Sequence, residues 1–206
     1  MTRAGRAAAL LIGSCLAAGV LAGVALHSAR RAPAAVVFPR PSRALTGDAV
    51  WPAGRRRAPA FALRDQRGRL VSLAGQRGHP VLLTFMDSRC RLICTLQGPQ
   101  IAAILRRAGR GVRLLVVSVN PWEDTAASSV RAGARYGFAG PWHWLRAAPA
   151  ALRPVWRAYG IDVIRTTGDV SHSTALYVID RRGYERAGFN FPFPQRQVAR
   201  DLRALA

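Results

Sequence analysis

Lysine is absent from the 206 residues, cysteine occurs only three times, methionine twice, and no acidic residue precedes Asp48. Three cysteines exclude a disulfide-built scaffold, which needs several pairs, and direct attention to the two that lie close together, Cys90 and Cys94. All 31 basic residues are arginine, set against 10 acidic ones, for a formal net charge of +21. A charge of that size raises the question of a nucleic-acid partner. Complete replacement of lysine by arginine, in a chain rich in Ala and Gly, reads instead as a coding bias. The arginines are scattered, their longest run is Arg55-Arg56-Arg57, and no helix carries a basic stripe with interleaved aromatics. No nucleic-acid partner is expected. Anionic lipid headgroups or an acidic protein partner are the better use of the charge. With 50% hydrophobic residues a core is assured, and the length suits one domain of ordinary size plus a tail.

The N-terminus holds what the rest of the chain lacks, a long uncharged run. Arg3 and Arg6 precede twenty residues without charge, Ala7 to Leu26, and Arg30-Arg31 follow. Twenty helical residues rise about 30 Å, the thickness of a hydrocarbon core, whereas the apolar region of a secretory signal is ~7–15 residues. The length favours an uncleaved transmembrane anchor over residues 1–29. Cleavage after Ala25 is a second reading. The Ile12-Gly13-Ser14-Cys15 stretch gives a third, a lipidated Cys15, although the apolar run continues well past that cysteine. All three readings place the domain on the periplasmic, extracytoplasmic side of a membrane. Arginines flank both ends of the run, so charge asymmetry does not set its orientation. Residues 30–57, with Pro33, Pro39, Pro41 and Pro52 and little periodicity, are expected to form an extended linker.

From Ala58 to the end, elements alternate. Phe61–Leu63 and Leu70–Leu73 flank Asp65-Gln66-Arg67-Gly68 as a β-hairpin. Val81–Met86 and Leu114–Val119 are continuous apolar runs, the pattern of strands buried on both faces of a mostly parallel sheet. Gly98-Pro99 is expected to start one helix. Asp124-Thr125 caps a second running to Tyr136, and a third spans Ala148 to Tyr159. Thr174–Ile179, a turn at Asp180–Gly183 and Tyr184–Phe189 form a C-terminal hairpin. A last helix follows Pro194, with Val198, Leu202 and Leu205 in register. The class is α/β, a single domain over 58–206, with thioredoxin-like topology.

Cys90 and Cys94 fall just past the end of the Val81–Met86 strand, where ligands gather in open α/β sheets. On a helix, positions i and i+4 share a face with Cβ atoms ~5–6 Å apart, close enough for two sulfurs to meet on one soft metal ion or, with rearrangement, to form a disulfide. Arg89, Arg91 and a nearby helix N-terminus favour thiolate over thiol, and thiolates suit Cu(I) or Zn. Buried structural thiols are the plain alternative, but Asp87, Ser88, Arg89 and Arg91 make the surroundings polar. A peroxidatic cysteine is set aside, because the Pro80-x-x-x-Thr84-x-x-Cys pattern it requires has Asp87 in the Cys position. Of the four histidines, His27 and His79 lie away from the pair and His143 reads as a packing residue. His172 sits in the polar stretch Gly168–Ser173 before a buried strand, where a solvated side chain and a ligand are both open.

These segments together resemble the Sco/SenC family of copper proteins, which assist assembly of the copper centre of respiratory oxidases. The resemblance rests on Phe61-x-Leu63-x-Asp65-x-x-Gly68 with Ser72-Leu73, on Gly78-His79-Pro80-Val81 followed by Cys90-x-x-x-Cys94, on Ser118-x-Asn120-Pro121-x-x-Asp124-Thr125, and on Asp169-x-x-His172-Ser173 followed by Leu176–Asp180 and Gly183. It implies that Cys90, Cys94 and His172 coordinate one copper ion, Cu(I) and with the imidazole also Cu(II), for delivery to an oxidase subunit. The chain departs from the family where prolines usually follow each cysteine: Arg91 and Thr95 stand there, Asp87-Ser88 replace a Tyr-Thr pair, and Asn120 replaces an Asp. A more positive loop favours reactive thiolates over a Cu(II) site. The alternative is therefore a membrane-tethered thiol-disulfide oxidoreductase with Cys90 as the attacking thiol. A plain interaction domain with inert cysteines is a third class.

Overall fold

A computed structural model describes residues 45–206. The membrane-segment, signal and lipidation readings of residues 1–29, Cys15 included, lie outside the described residues. Among the described residues no helix is long and apolar enough to cross a membrane.

In chain order the elements are β1 (Ala49–Val50), β2 (Ala62–Arg64), β3 (Leu70–Ser72), β4 (Val81–Met86), α1 (Ile93–Ala108), β5 (Arg113–Ser118), α2 (Ala126–Tyr136), β6 (Trp142–Leu145), α3 (Pro149–Ala158), β7 (Val163–Thr166), β8 (Asp169–His172), β9 (Ala175–Ile179), β10 (Glu185–Asn190) and α4 (Gln195–Ala204). A six-stranded sheet runs β1-β10-β9-β4-β5-β6, with β2-β3 and β7-β8 as separate hairpins. The two apolar runs occupy its middle. Along β4, Leu82 and Met86 face a cluster containing Ile101 and Ile104 of α1, Tyr136 of α2, and Val198 and Leu202 of α4. Val81, Leu83 and Phe85 face the opposite cluster, with Phe61, Leu63 and Val71 of the first hairpin and Leu152, Val155 and Trp156 of α3. Each buried side chain of this kind contributes about 1.5–3 kcal/mol. The Arg89–Glu123 pair, half exposed on both sides, adds about 0–1 kcal/mol, so the core and not the charge holds the fold.

Three expectations need correction. The sheet is mixed: β4-β5 and β5-β6 are parallel, but β4-β9, β9-β10 and β10-β1 are antiparallel. Burial on both faces comes from helices above and below the sheet and says little about strand direction. The domain also begins before Ala58, because Ala49 and Val50 pair with Gly188 and Ala187 of β10 inside the stretch read as linker. A two-residue edge strand has no periodicity to detect. Finally, α1 begins at Ile93, with Gly98 and Pro99 inside it. Pro99 lacks an N–H for Thr95, and such a residue usually marks a helix start; here the turn at Cys90–Leu92 starts the helix earlier. Thr125, by contrast, caps α2 as expected, accepting from the Ser128 N–H while Ser128 accepts from the Thr125 N–H.

Gly98 sets the distance between α1 and α2. A Cβ there would lie 2.2 Å from Cγ of the buried Tyr136 ring. Alanine would gain about 1 kcal/mol of helix propensity but force the ring out of place, at about 1–3 kcal/mol. Gly98→Ala is expected to be net destabilising, with a lower urea midpoint at unchanged slope; a midpoint at or above that of the native chain would show that the helices can separate without loss.

Candidate metal centre

The antiparallel pairing of β4 with β9 builds the site. Thr84 stands opposite Leu176, so the chain just before Ala175 runs past the carboxyl end of β4, where the cysteines follow. His172 and Cys94 thereby meet across 78 residues of sequence: Cys94 Sγ lies 3.8 Å from His172 Nε2. The polar stretch 168–173 is not a loop throughout. It is the β7-β8 hairpin, in which His172 opposes Val163 and Gly168 turns with φ +77°. Its side chains are largely exposed, so no apolar alternation announces it.

The imidazole is held in one tautomer. Its Nδ1–H donates to the Ser173 carbonyl at 2.9 Å, which leaves the Nε2 lone pair toward the sulfur. Burial pushes the His172 pKa down, against the Ser173 carbonyl, so the ring is neutral and able to bind a metal. For a first-row ion with sulfur and nitrogen bonds of about 2.3 and 2.0–2.1 Å, donors spread at about 120° stand ~3.8 Å apart. The Cys94–His172 contact, itself of sulfur–nitrogen hydrogen-bond length, has a separation that two donors to one ion would also have.

The two thiols are unequal. Cys90 lies at the surface of the cleft and Cys94 is fully buried. Cys90 Sγ accepts the Cys94 backbone N–H at 3.4 Å, one of the free donors in the first turn of α1. The hydrogen bond from the Cys94 thiol, helped by the N–H groups of Cys94 and Leu92 and opposed by burial, brings the Cys90 pKa down to about 6. The same bond, with burial and the charge on Cys90, pushes Cys94 up. The pair thus holds one proton at neutral pH, with the charge on the accessible sulfur. Contacts join Cys90 to Cys94 and Cys94 to His172. Among the described residues, however, no group of three His, Cys, Asp or Glu is gathered tightly enough to hold an ion without movement. Cys90 sits on the turn that precedes α1.

A buried carboxylate that sequence reasoning placed at a helix cap and not beside the thiols fixes that turn. Asp124 Oδ1 accepts from the Ser88 N–H at 3.0 Å and the Ser88 hydroxyl at 2.5 Å, and Oδ2 accepts from Ser118 at 2.6 Å and Trp144 Nε1 at 3.3 Å. Asp87 accepts from the Arg89 N–H at 2.7 Å and from Asn120 Nδ2 at 3.2 Å. The segments after β4 and β5 are thus bonded to each other. The signal was available in Ser118-x-x-x-x-x-Asp124-Thr125, where a carboxylate precedes a helix cap. Above this floor opens a cleft of about 890 Å³, lined by Cys90 and by Arg89, Arg91, Arg131 and Arg135. The other histidines among the described residues stand apart: His143 Nδ1 lies 3.0 Å from Asp65 Oδ2, joining the first hairpin to β6, and His79 meets Arg113.

The family model described as SCO1/SenC matches residues 52–206. The chain belongs to the SCO1/SenC family. Among solved structures of Sco proteins, Bradyrhizobium japonicum ScoI with copper bound matches at 26% identity and a TM-score of 0.63, covering 73% of this chain and 99% of that one. A SCO1/SenC family lipoprotein from Bacillus anthracis matches at 19% identity and a TM-score of 0.66, covering 74% and 96%. BsSco, described with a disulfide switch as a member of the Sco family of cytochrome c oxidase assembly proteins, matches at 18% and 0.65, covering 80% and 98%. No curated protein matches the chain. Within this SCO1/SenC domain, Arg91 and Thr95 are exposed, and the Thr95 hydroxyl donates to the Leu92 carbonyl at 2.5 Å, so the turn is closed by side-chain bonding where prolines were expected.

Proposed function

We propose that this chain is a copper carrier. Cys90, Cys94 and His172 hold one copper ion, and the ion passes to a copper-bearing subunit of a respiratory oxidase. The observation that carries the reading is the His172 Nε2 lone pair, fixed by Ser173 and 3.8 Å from Cys94 Sγ. Two sulfurs and an imidazole are the donors a Cu(I) ion prefers, and the imidazole extends the set to Cu(II). Family membership supports it, as do the copper bound by Bradyrhizobium ScoI and the oxidase-assembly family of BsSco. Cys90 opens on the cleft, so exchange with a client's ligand starts there while buried Cys94 and His172 retain the ion. The Ala7–Leu26 run, or a lipid on Cys15, would hold the domain on the extracytoplasmic side; the lipoprotein relative from Bacillus anthracis supports an anchored form.

The asymmetry of the thiols favours a second reading, thiol-disulfide exchange on a partner. Cys90 would attack a partner disulfide, releasing one partner thiolate, and Cys94 would then displace the second to leave a Cys90–Cys94 disulfide. Anaerobic titration of the full-length chain in nonionic detergent with Cu(I) separates the two. One equivalent is expected for the native chain and none for Cys90→Ser. Near-zero uptake by the native chain would end the copper reading and leave the exchange reading in front.

A further inference from the structure

The strongest unused charge lies at the far end of α1 from the thiols. Arg106, Arg107 and Arg110 are exposed there, and α4 packs alongside in the same direction. The Phe193 N–H donates to Gln100 Oε1 near the start of that contact, and the Arg203 guanidinium donates to the Arg107 carbonyl at its end. Arg107 and Arg203 bond only to carbonyl oxygens, and none of the four arginines makes an ion pair among the described residues. Complementing a helix dipole needs no more than a charge or so at each end. Two guanidiniums in the last turn of α1, one just past it and one in the last turn of α4 exceed that. Beside them lies an apolar groove of about 600 Å³, walled by Leu105, Val112 and Pro141, with Arg106 and Arg110 at its edge.

A separate observation says what this face meets. The chain enters the described domain at Leu45-Thr46, and Thr46 is tied to α4: its N–H and hydroxyl both reach Asp201 Oδ2, at 2.8 and 3.1 Å. Asp201 lies two residues from Arg203. The described residues therefore begin beside α4, the helix whose last turn carries Arg203. We propose that the arginine face at the ends of α1 and α4 binds the anionic phospholipid surface of the membrane that holds the chain. Guanidiniums engage lipid phosphates in bidentate pairs, and the groove takes the apolar shoulder of the headgroup region. The sixteen residues of α1 rise ~24 Å, so this contact turns Cys90 and Cys94 away from the bilayer, toward a client. The inference rests on the anchored form proposed above.

The test uses the full-length chain in phosphatidylcholine vesicles and in vesicles that also contain phosphatidylglycerol. Flotation is measured first, and then arginine modification by phenylglyoxal, read by mass spectrometry at each site. Each arginine at such a surface strengthens binding about fivefold, so Arg106, Arg107, Arg110 and Arg203 are each expected to react about fivefold more slowly on the anionic vesicles. Salt at about 0.5 M should restore their reactivity. Exposed Arg91 and Arg131, at the thiol end, serve as internal controls that stay reactive. Flotation on phosphatidylcholine with equal reactivity on both vesicles overturns the proposal and leaves the anchor intact. Flotation only on anionic vesicles, with the four arginines protected, supports the face and removes the anchor. Failure to float on either removes both. Stronger protection by soluble polyglutamate than by anionic vesicles would make the face a protein-docking surface, and the proposal falls.

Discussion

His172→Ala is expected to weaken Cu(I) binding by more than 100-fold while the chain stays folded. The figure follows from what smaller changes do: removing a group that merely orients a metal-bound histidine costs ~10–100-fold in affinity, and removing the donor itself must exceed that. A hundredfold is about 2.8 kcal/mol. The imidazole is buried at the end of the short β7-β8 hairpin, outside both main core clusters, so its loss leaves a small void and breaks one hydrogen bond, that to the Ser173 carbonyl. Affinity is measured anaerobically by competition with a chromophoric Cu(I) chelator, and folding by the urea midpoint. A readout independent of the metal separates a missing donor from a damaged site. Reduction of a small model disulfide by Cys90 and Cys94 should persist in His172→Ala at a rate near that of the native chain. Native copper affinity in the variant would refute coordination by three ligands. Parallel loss of exchange would show that the residue supports the site's structure instead.

How much of this was legible beforehand depends on how local each feature is. Val81–Met86 and the run from Leu114 declare themselves as buried strands because all but one side chain in each is apolar, Thr84 and Ser118 being the exceptions, and Thr125 declares the start of α2 because its cap lies within four residues. Trp142–Leu145 does not. Four residues with a histidine among them carry no periodicity, and their strand identity comes from pairing with β5. His143 was read as packing, but it is a link to Asp65, made visible only when the first hairpin folds against β6. At the site, the spacing of Cys90 and Cys94 is local, so the pair stands out without a structure. His172 is different. Its place beside Cys94 depends on the register of β9 against β4, a long-range property, and only the family resemblance singled it out. Asp124 was taken for part of a helix cap; its four bonds reach Ser88, Ser118 and Trp144, none of them its neighbour on α2.

Replacing Asp124 by alanine is expected to cost about 2–5 kcal/mol, the largest loss of stability anticipated for a polar residue here. The Ser88 and Ser118 hydroxyls can turn to other acceptors, as Ser88 already does toward Ser128 at 2.6 Å, but the Ser88 N–H and the Trp144 Nε1–H cannot, and each buried orphan donor costs about 1–3 kcal/mol. Asp124→Asn asks a finer question. Burial, opposed by the Ser118 and Ser88 hydroxyls and reinforced by the charge on Asp87, raises the Asp124 pKa from 3.8 to about 6. A carboxyl whose folded pKa lies above its unfolded one binds its proton more tightly when folded. Its contribution to stability is fully present below about pH 4 and declines as pH rises through 6, by about 3 kcal/mol in all. His172, with its pKa lowered, acts in the opposite sense over the neighbouring range, so the pH profile of the native chain mixes the two. The difference between native and Asp124→Asn chains cancels that and every other shared group. Asparagine keeps an oxygen for Ser88 but turns an NH₂ toward Trp144, so the variant starts less stable at pH 4. Its deficit should then shrink by about 3 kcal/mol on the way to pH 7, because only the native chain must bury a charge there. Urea unfolding of both chains at a series of pH values measures that gap, and a gap that stays constant would mean that Asp124 is ionised throughout.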